Sequence, residues 1–522
     1  MGVTDDWKTQ MSAVPSPELA EDPPQISEPP AGLDRGVLAV AMVVVLGAIM
    51  SILDVTVVNV AINHLAGAFH SSLATIQWVA TGYTLALATV IPVTGWASAR
   101  FGTKRLYMIS IALFVLGSAL AGMAWSAESL IAFRVLQGLG GGMIMPAGMT
   151  ILTQKAGPSR VGQVMSVVGI PMLLGPICGP ILGGWLVDDV SWRWIFFINL
   201  PIGVVALFLA ARILERDTPR PGERLDLLGL VLLSPGLASL IYGLAKGAQA
   251  SDFSKPEVLI TTIAGAVLVV LFAVRALTAR VPLIDLRLLK RRSVAAASGT
   301  MVLFMCAFMG AMLLLPLYYQ VVRQESAFSS GLLLAPQGIG AMVTMPVGGK
   351  LTDRIGPGRV VLIGLLVVVG SVAGFTSVLH ADTSYWTLGA VLFVMGLGMG
   401  MTMMPTMAAA IQTLSHDEVP KASTMLNIIQ QVSASIGTAL MSVLLANALT
   451  DKLGGGAGGG GLSAAQKLPP QIMQKIVGPM ADAFQSTYWW AVGLLALAFI
   501  PALLLPRRKP TGAPAEPPMP MH

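Results

Sequence analysis

Long apolar runs recur from residue 36 to residue 506 and limit the possible folds more than any other feature of the sequence. A helix needs about 20 consecutive apolar residues to cross a hydrocarbon core about 30 Å thick. Because 55% of the residues are hydrophobic and only 11% are charged, the composition is too apolar for a soluble protein. The sequence therefore predicts an all-α polytopic membrane protein with fourteen transmembrane helices. The runs lie near residues 36–62, 74–97, 106–125, 130–152, 162–187, 194–214, 226–246, 257–277, 294–319, 329–352, 359–379, 386–410, 423–448 and 486–506.

The positively charged residues indicate which side of the membrane each loop faces. Most of the 32 Lys and Arg residues lie in the two terminal tails and in alternate loops. Since cytoplasmic loops are enriched in Lys and Arg, both termini are predicted to be cytoplasmic, with the protein in the cytoplasmic (inner) membrane. Residues 1–35 are rich in Pro and acidic residues and are predicted to form a disordered tail, and residues 507–522 form the second tail.

One glycine- and arginine-containing motif occurs twice. Its first copy, residues 95–105, follows the second apolar run, and its second copy, residues 349–359, follows the tenth. Two similar halves of six helices would place the copies after helices two and eight, so the spacing indicates two extra helices between the halves. The predicted domains are an N-terminal bundle over 36–214, a linker with two helices over 215–290, and a C-terminal bundle over 291–506 that contains an extracytoplasmic loop at 449–485.

Two ionisable residues lie well inside predicted spans of the N-terminal half, Asp54 in the first run and Arg134 in the fourth. The first helix runs outward and the fourth runs inward, so at 1.5 Å per residue both side chains lie at a similar depth in the outer half of the membrane. Charged residues at such positions normally face a bundle interior and have a partner. Burial disfavours a charged carboxylate and a nearby guanidinium favours it, so the pair is suited to proton exchange; a static buried ion pair is the alternative.

Several uncharged side chains on these helices are candidates for contact with a bound molecule. Flexible thioethers suit ligands of varied shape, although gap filling is the alternative for any single Met. Aromatic rings suit stacking on an aromatic ligand, and an interfacial anchor is the alternative for Trp78. An amide one turn from Arg134 either orients the guanidinium or contacts the ligand, whereas a structural role is favoured for Asn59 and Asn199. The cavity candidates are Gln137, Asn59, Trp78, Tyr83, Met305 and Met309.

Five motifs, in order along the chain, resemble those of the fourteen-helix drug:proton antiporters of the major facilitator superfamily, the EmrB/QacA type. The resemblance covers nearly all of residues 36–506, with one departure. The aspartate that the family usually has in the gating loop is Ala99 here, whereas the second copy of the loop keeps Asp353. The motifs are Leu53 to Ala61, residues 95–105, Leu130 to Gly142, Gly175 to Gly184 and Trp192 to Gly203.

The resemblance implies two six-helix bundles related by a pseudo-two-fold axis along the membrane normal, with a cargo cavity between them near mid-membrane and two additional linker helices. It implies that Asp54 and Arg134 couple proton movement to transport. In the fifth helix, glycines allow close helix packing and prolines bend the helix. The implied cytoplasmic gate comprises Gly95, Arg100, Gly102, Lys104, Arg105, Asp353 and Arg354. The residues of the antiporter-motif helix are Gly175, Pro176, Gly179, Pro180 and Gly183.

The function implied by the resemblance is proton-driven export of lipophilic, cationic drugs or toxic compounds, with the proton gradient as driving force and no cofactor. Export or flipping of an endogenous lipid or metabolite is the alternative. A membrane scaffold or sensor is disfavoured because no loop is long enough to fold a domain. No predicted span contains His, and neither HExxH nor a P-loop is present, so the sequence supports no metal site, enzyme or ATP-driven pump. The expected partners are lipophilic small molecules and the bilayer, not nucleic acid; an adaptor protein is not identified.

Overall fold

The computed structural model describes residues 34–157, 160–217, 219, 225–250, 253–415, 418–453 and 470–507. In these residues the protein forms fourteen long helices. They are α1 (Arg35–Ala68), α2 (Leu73–Val90), α3 (Thr103–Gly122), α4 (Ala127–Ala156), α5 (Val161–Trp185), α6 (Asn199–Ile213), α7 (Leu227–Ala250), α8 (Pro256–Thr278), α9 (Arg292–Leu317), α10 (Ala335–Ile355), α11 (Pro357–Ser377), α12 (Tyr385–Gly400), α13 (Val419–Leu453) and α14 (Pro470–Leu497). Short helical segments extend several of these helices, at Thr94–Phe101, Trp194–Phe197, Ala327–Leu333, Met403–Ile411 and Phe499–Ala502.

The helices confirm the predicted all-α polytopic fold. Thirteen helical stretches of the described residues are long and apolar enough to cross a membrane. Helix α5, with 25 residues, is the fourteenth long helix, and several of its side chains lie outside the described residues. The two predicted tails are likewise described only at their inner edges, Asp34 and Arg507.

Side-chain caps begin several of the helices. The Asp34 carboxylate accepts a hydrogen bond from the backbone N–H of Val37 at the start of α1, at 2.8 Å. This bond holds the pKa of Asp34 below its usual value. Ser126 caps α4 through a reciprocal pair of hydrogen bonds with Ser129. Such caps satisfy backbone donors that the first turn of a helix leaves without partners.

The two halves repeat the same helix contacts. Gly102 and Gly356 have φ values of +88° and +90°, and each connects the second helix of its half directly to the third. This left-handed backbone conformation strongly favours glycine. The shared conformation fixes the register of the repeat, so α2, α3, α10 and α11 can be compared residue by residue.

A second pair of glycines extends this register to the fourth helix of each half. Gly140 of α4 lies against the α3 backbone at Ser110 and Phe114, and Gly398 of α12 lies against the α11 backbone at the matching positions, Gly364 and Val368. A Cβ atom at either glycine would clash with the neighbouring backbone. In this register, Leu392 of the second half is the counterpart of Arg134, and Met395 is the counterpart of Gln137.

The segment 449–485, whose extracytoplasmic position stays a prediction, contains helix at both of its ends. Helix α13 continues to Leu453, and α14 begins at Pro470. The stretch 471–485 is modestly amphipathic, and its apolar residues Met480 and Phe484 are buried within the protein, which stabilises the added helical turns. Residues 454–469 lie outside the described residues.

The linker helices α7 and α8 pack against each other, and α7 also packs against α2 of the first half and α13 of the second. The Ser234 hydroxyl donates a hydrogen bond to the backbone carbonyl of Thr89 in α2, at 2.6 Å. Most residues of α8 face away from the rest of the protein. The linker therefore covers one side of the contact between the halves.

Candidate functional site

A buried ion pair joins α1 and α4. Nη1 of Arg134 lies 2.5 Å from Oδ2 of Asp54, and both residues are only 1% exposed. The structure thus brings together the two ionisable residues that the sequence places at similar depth. Burying two charges is costly unless hydrogen bonds satisfy their remaining polar atoms, so the neighbouring side chains determine whether this pair is stable.

Two amide side chains satisfy the other carboxylate oxygen. Nε2 of Gln137 donates to Oδ1 of Asp54 at 2.8 Å, and Nδ2 of Asn199 donates to the same atom at 3.1 Å. Oε1 of Gln137 also accepts a hydrogen bond from Nη1 of Arg134 at 2.7 Å. Asn199 is held in turn by Ser118, whose hydroxyl accepts from Nδ2 at 3.1 Å. Both oxygens of Asp54 therefore accept hydrogen bonds, from three side chains on two helices, α4 and α6.

The guanidinium of Arg134 has further partners. Its Nε donates to the backbone carbonyl of Val79 at 3.2 Å, and its Cζ lies 4.2 Å from the centre of the Tyr83 ring. The centre of the Phe196 ring lies 5.7 Å from the same Cζ atom. Aromatic faces attract cations, most strongly where water is excluded. We call Asp54, Arg134, Gln137, Asn199 and Tyr83 the charged cluster.

The other cavity candidates are not part of the charged cluster. Trp78 is 42% exposed and stacks on Tyr242 of linker helix α7, with ring centres 5.6 Å apart. The rotation of α2 thus directs the Trp78 ring toward the linker, and its contact with cargo stays a prediction. Met305 is buried and Met309 is half-buried in α9. Asn59 lies in α1, but its side chain is outside the described residues.

Two members of this network were missed by the sequence-based site prediction. Asn199, which the sequence favours as structural, donates directly to Asp54. Ser118 of α3 positions Asn199 and donates to the backbone carbonyl of Phe196 at 2.9 Å. The motif at the start of the sixth helix contains Asn199 and could have indicated it as a site residue. A single Ser in an apolar run gives no such indication for Ser118.

The glycine stripe of α5 packs on the part of α1 that carries Asp54. Gly175 lies against Ile52 and Gly179 against Thr56, on either side of Asp54, and Gly183 lies against Val57. A Cβ atom at Gly175 or Gly179 would overlap these side chains. The stripe therefore permits the close helix contact predicted for it. The side chains of Pro176 and Pro180 lie outside the described residues.

The two copies of the repeated loop make different contacts with the opposite half. In the second copy, Oδ2 of Asp353 accepts a hydrogen bond from the backbone N–H of Gln163 in the first turn of α5, at 3.2 Å. In the first copy, Gly95 lies against Thr424 at the start of α13, and Ala99 offers no side-chain acceptor. The charged contact between the halves is thus made by the second copy.

The remaining predicted gate residues act locally or face outward. Nζ of Lys104 donates to the backbone carbonyls of Ala211 and Leu214 at the end of α6, at 2.9 and 2.5 Å. Asp217, which the sequence did not single out, accepts from the backbone N–H groups of Thr103 and Lys104 at the start of α3. These bonds connect α3 and α6 within one half. Arg105 and Arg354 are exposed, and Arg100 is half-buried.

A pocket occupies the interior of the second half. Five helices of that half contribute to it, and its walls are apolar apart from one amide side chain. Among the described residues, no group of three or more His, Cys, Asp or Glu side chains is placed to hold a metal ion. The pocket is lined by Phe304, Ala307, Phe308, Ala311, Met312, Leu315, Gln337, Val368, Val372, Met395, Met399 and Leu495.

Comparison with known proteins agrees with this architecture. The family model of the Major Facilitator Superfamily matches residues 44–438. The chain is similar to a human organic anion transporter, MFSD10, with a TM-score of 0.60 and 15% identity over 91% of this chain and 100% of that chain. The proton:xylose symporter XylE gives a TM-score of 0.57 and 13% identity over 89% of this chain and 94% of that one. The chain belongs to the major facilitator superfamily.

Relatives at 30% identity or more show which family within the superfamily the chain belongs to. A protein of Mycobacterium tuberculosis named multidrug resistance protein B homolog is 43% identical over 92% of both chains. The multidrug export protein EmrB of Escherichia coli K12 is 32% identical, over 77% of this chain and 79% of its own length. The lincomycin resistance protein LmrB of Bacillus subtilis is 30% identical, over 78% and 86%. Within the superfamily, the chain is therefore a member of the family that contains these proteins.

Proposed function

We propose that the protein exports lipophilic, cationic small molecules across the cytoplasmic membrane in exchange for protons, with both termini in the cytoplasm. The observation that carries this proposal is the charged cluster, a carboxylate and a guanidinium paired inside the membrane-spanning helices. Intramembrane ionisable pairs are typical of proton relays in transporters. The names of the relatives support multidrug export, and the driving force is the proton gradient, with no cofactor and no covalent change to the cargo.

Protonation of Asp54 would change the cluster directly. Its carboxylate accepts hydrogen bonds on both oxygens, from Arg134 on one side and from Gln137 and Asn199 on the other. A proton on Oδ1 takes one of the two acceptor positions that Gln137 and Asn199 use, and a proton on Oδ2 adds a donor beside the Arg134 guanidinium. Either proton also leaves the Arg134 cation without its counter-charge. The donors around Asp54 must then rearrange.

A route leads from this change to the contact between the halves. Asp54 lies between the α1 residues that pack on the glycine stripe of α5, and α5 packs along α10 of the second half. A shift of α1 therefore acts on the helix that crosses the interface. Packed helices respond to such local changes by switching between discrete arrangements, as alternating access requires.

The test is transport by the purified full-length protein in liposomes. Ethidium is a suitable cargo because its charge is permanent, so it does not accumulate passively as a weak base. Liposomes with an acidic lumen should accumulate ethidium only when the protein is present, and collapse of the pH gradient by nigericin should stop the accumulation. Uptake that is unchanged by nigericin would contradict proton coupling.

A further inference from the structure

The apolar pocket of the second half contains one polar side chain, Gln337, and among the described residues one of its two polar atoms has no hydrogen-bond partner. Gln337 of α10 is 4% exposed, and its Nε2 lies 3.2 Å from the Sδ atom of Met399 on α12. A thioether sulfur only accepts hydrogen bonds, so the amide nitrogen faces the sulfur and Oε1 is the free end. Within the described residues, Oε1 is buried without a hydrogen-bond partner.

A buried acceptor without a hydrogen-bond partner destabilises the folded protein. If the pocket served only helix packing, an apolar residue at position 337 would avoid this cost. The repeat makes this point sharper. Gln337 occupies the position of Tyr83 in the first half, while Leu392 and Met395 occupy the positions of Arg134 and Gln137. At these positions the second half therefore has no charged side chain, and it has an amide where the first half has an aromatic ring.

In this conformation the cavity measures about 20 Å³, so its side chains must move to admit a flat apolar group, and their chemistry suits one. Met312, Met395 and Met399 provide flexible thioethers, which contact aromatic rings favourably. Phe304 and Phe308 present a stacked pair of rings with centres 5.8 Å apart. A ring entering this pocket meets a single unpaired acceptor, the Oε1 atom of Gln337.

We propose that this pocket is a cargo subsite that takes an aryl group carrying an amino or hydroxyl donor, which donates to Oε1 of Gln337. The proposal rests on the proposed export function. It separates two tasks: the first half holds the charged cluster, and the second half binds the apolar end of the cargo and selects for one hydrogen-bond donor.

The experiment uses two fluorescent dyes with the same acridine ring system. Proflavine carries two free amino groups, and in acridine orange both are dimethylated and donate no hydrogen bond. Binding of each dye to the purified full-length protein in nanodiscs is measured by fluorescence anisotropy without a pH gradient. The wild type should prefer proflavine by about fivefold, the order of magnitude of one net hydrogen bond.

Gln337→Leu and Gln337→Met should remove this preference, because each keeps the side-chain volume and lacks the acceptor. Ala311→Leu, which adds volume to the pocket wall, should weaken the binding of both dyes. The matched control is Thr344→Val on the same helix. It removes a hydroxyl that donates to the backbone carbonyl of Leu397 at 2.8 Å and does not line the pocket, so the preference should persist.

Failure to bind proflavine, equal binding of the two dyes to the wild type, or a preference that survives in both Gln337 variants would overturn the subsite. Asp54→Asn separates this result from the proposed function, because it should keep the dye preference while losing gradient-driven transport. A dye preference that depends on Gln337, found in a protein that shows no gradient-driven transport, would support the pocket and reject the export proposal.

Discussion

The two halves of the molecule have matching backbone contacts and different centres. In the first half, Arg134 is paired with Asp54 beneath Tyr83. In the second half, the position of Arg134 is the buried Leu392, and that of Tyr83 is Gln337, in the wall of an apolar pocket. The glycines that bring the third and fourth helices together are retained in both. Helix packing thus sets the shared fold, and among the described residues the buried ion pair lies in the first half.

The largest expected effect comes from removing the ionisable group of the first half. Asp54→Asn keeps the size of the side chain but cannot exchange a proton, so gradient-driven ethidium transport should fall to the level of protein-free liposomes. Downhill exchange of ethidium, which needs no proton cycling, should continue. The control is Leu392→Met in the second half, a volume-conserving change that should leave transport within about twofold. Gradient-driven transport at the wild-type rate by Asp54→Asn would remove the distinction between the halves.

Removing the cation should act on the pH dependence of transport. Arg134→Ala leaves the buried Asp54 charge unpaired, which costs about 3–5 kcal/mol of folding stability. A neighbouring cation favours release of a proton, and this cation is gone, so the pH optimum of transport should move to higher pH. Arg134→Lys should restore the profile only in part, since an ammonium lacks the guanidinium fork.

Leu392→Ala is the matched control for Arg134→Ala. It lowers stability through a cavity, by about 2–5 kcal/mol, but removes no charge. Its pH–activity profile, measured at equal amounts of reconstituted protein, should coincide with that of the wild type. An equal shift in both variants would assign the effect to packing instead of charge.

A smaller effect is expected at the glycine stripe. Gly179→Ala inserts a methyl group into the contact with Thr56 of α1, and overpacking of this kind costs about 1–3 kcal/mol. Gly184, five residues along the same helix, has open space around it, so Gly184→Ala should be neutral or stabilising by up to about 1 kcal/mol. Thermal unfolding in detergent distinguishes them. Gly437→Ala should resemble Gly179→Ala, because Gly437 of α13 lies on the Cys306 backbone in the second half.

The smallest effect concerns the contrast between the loop copies. Ala99→Asp supplies an acceptor at the start of α13, comparable to the Asp353 contact with α5, and carboxylates at helix N-termini contribute about 0.3–1 kcal/mol. The cytoplasmic contact should strengthen, and labelling of a cysteine introduced on that face should slow by about two- to fivefold. Asp353→Ala should speed the labelling. Equal labelling in all three proteins would reduce the loops to topology signals.

The sequence was sufficient for the features that a membrane penalises strongly. The apolar runs follow from the thickness of the bilayer, and the pairing of Asp54 with Arg134 follows because an isolated charge at that depth is too costly. Gln137 could be placed near Arg134 from helical spacing alone. Each of these inferences rests either on the spacing of residues within one helix or on one large free-energy cost in the membrane.

Features set by the rotation of one helix against another were not predictable. The direction of Trp78 depends on how α2 packs on α7, and the bond from Asn199 to Asp54 depends on the approach of α6 to α1. Gln337 carries no charge, so its burial produced no signal in the sequence. The helical stretch 470–485 was missed because its stability comes from packing in the folded protein, not from a long apolar run.

The position of the linker has a consequence for how the bilayer acts on the protein. Two contacts, Ser234 with Thr89 and Tyr242 with Trp78, attach α7 to the first half, and α8 adds an outward-facing apolar surface. Because α7 also packs against α13 of the second half, this surface lies beside the contact between the two halves. Each ångström of mismatch between protein and bilayer costs a fraction of a kcal/mol, so a change in bilayer thickness acts on the linker as well as on the two bundles. Through the linker, membrane composition therefore acts on the contact that changes when the protein alternates between its two states.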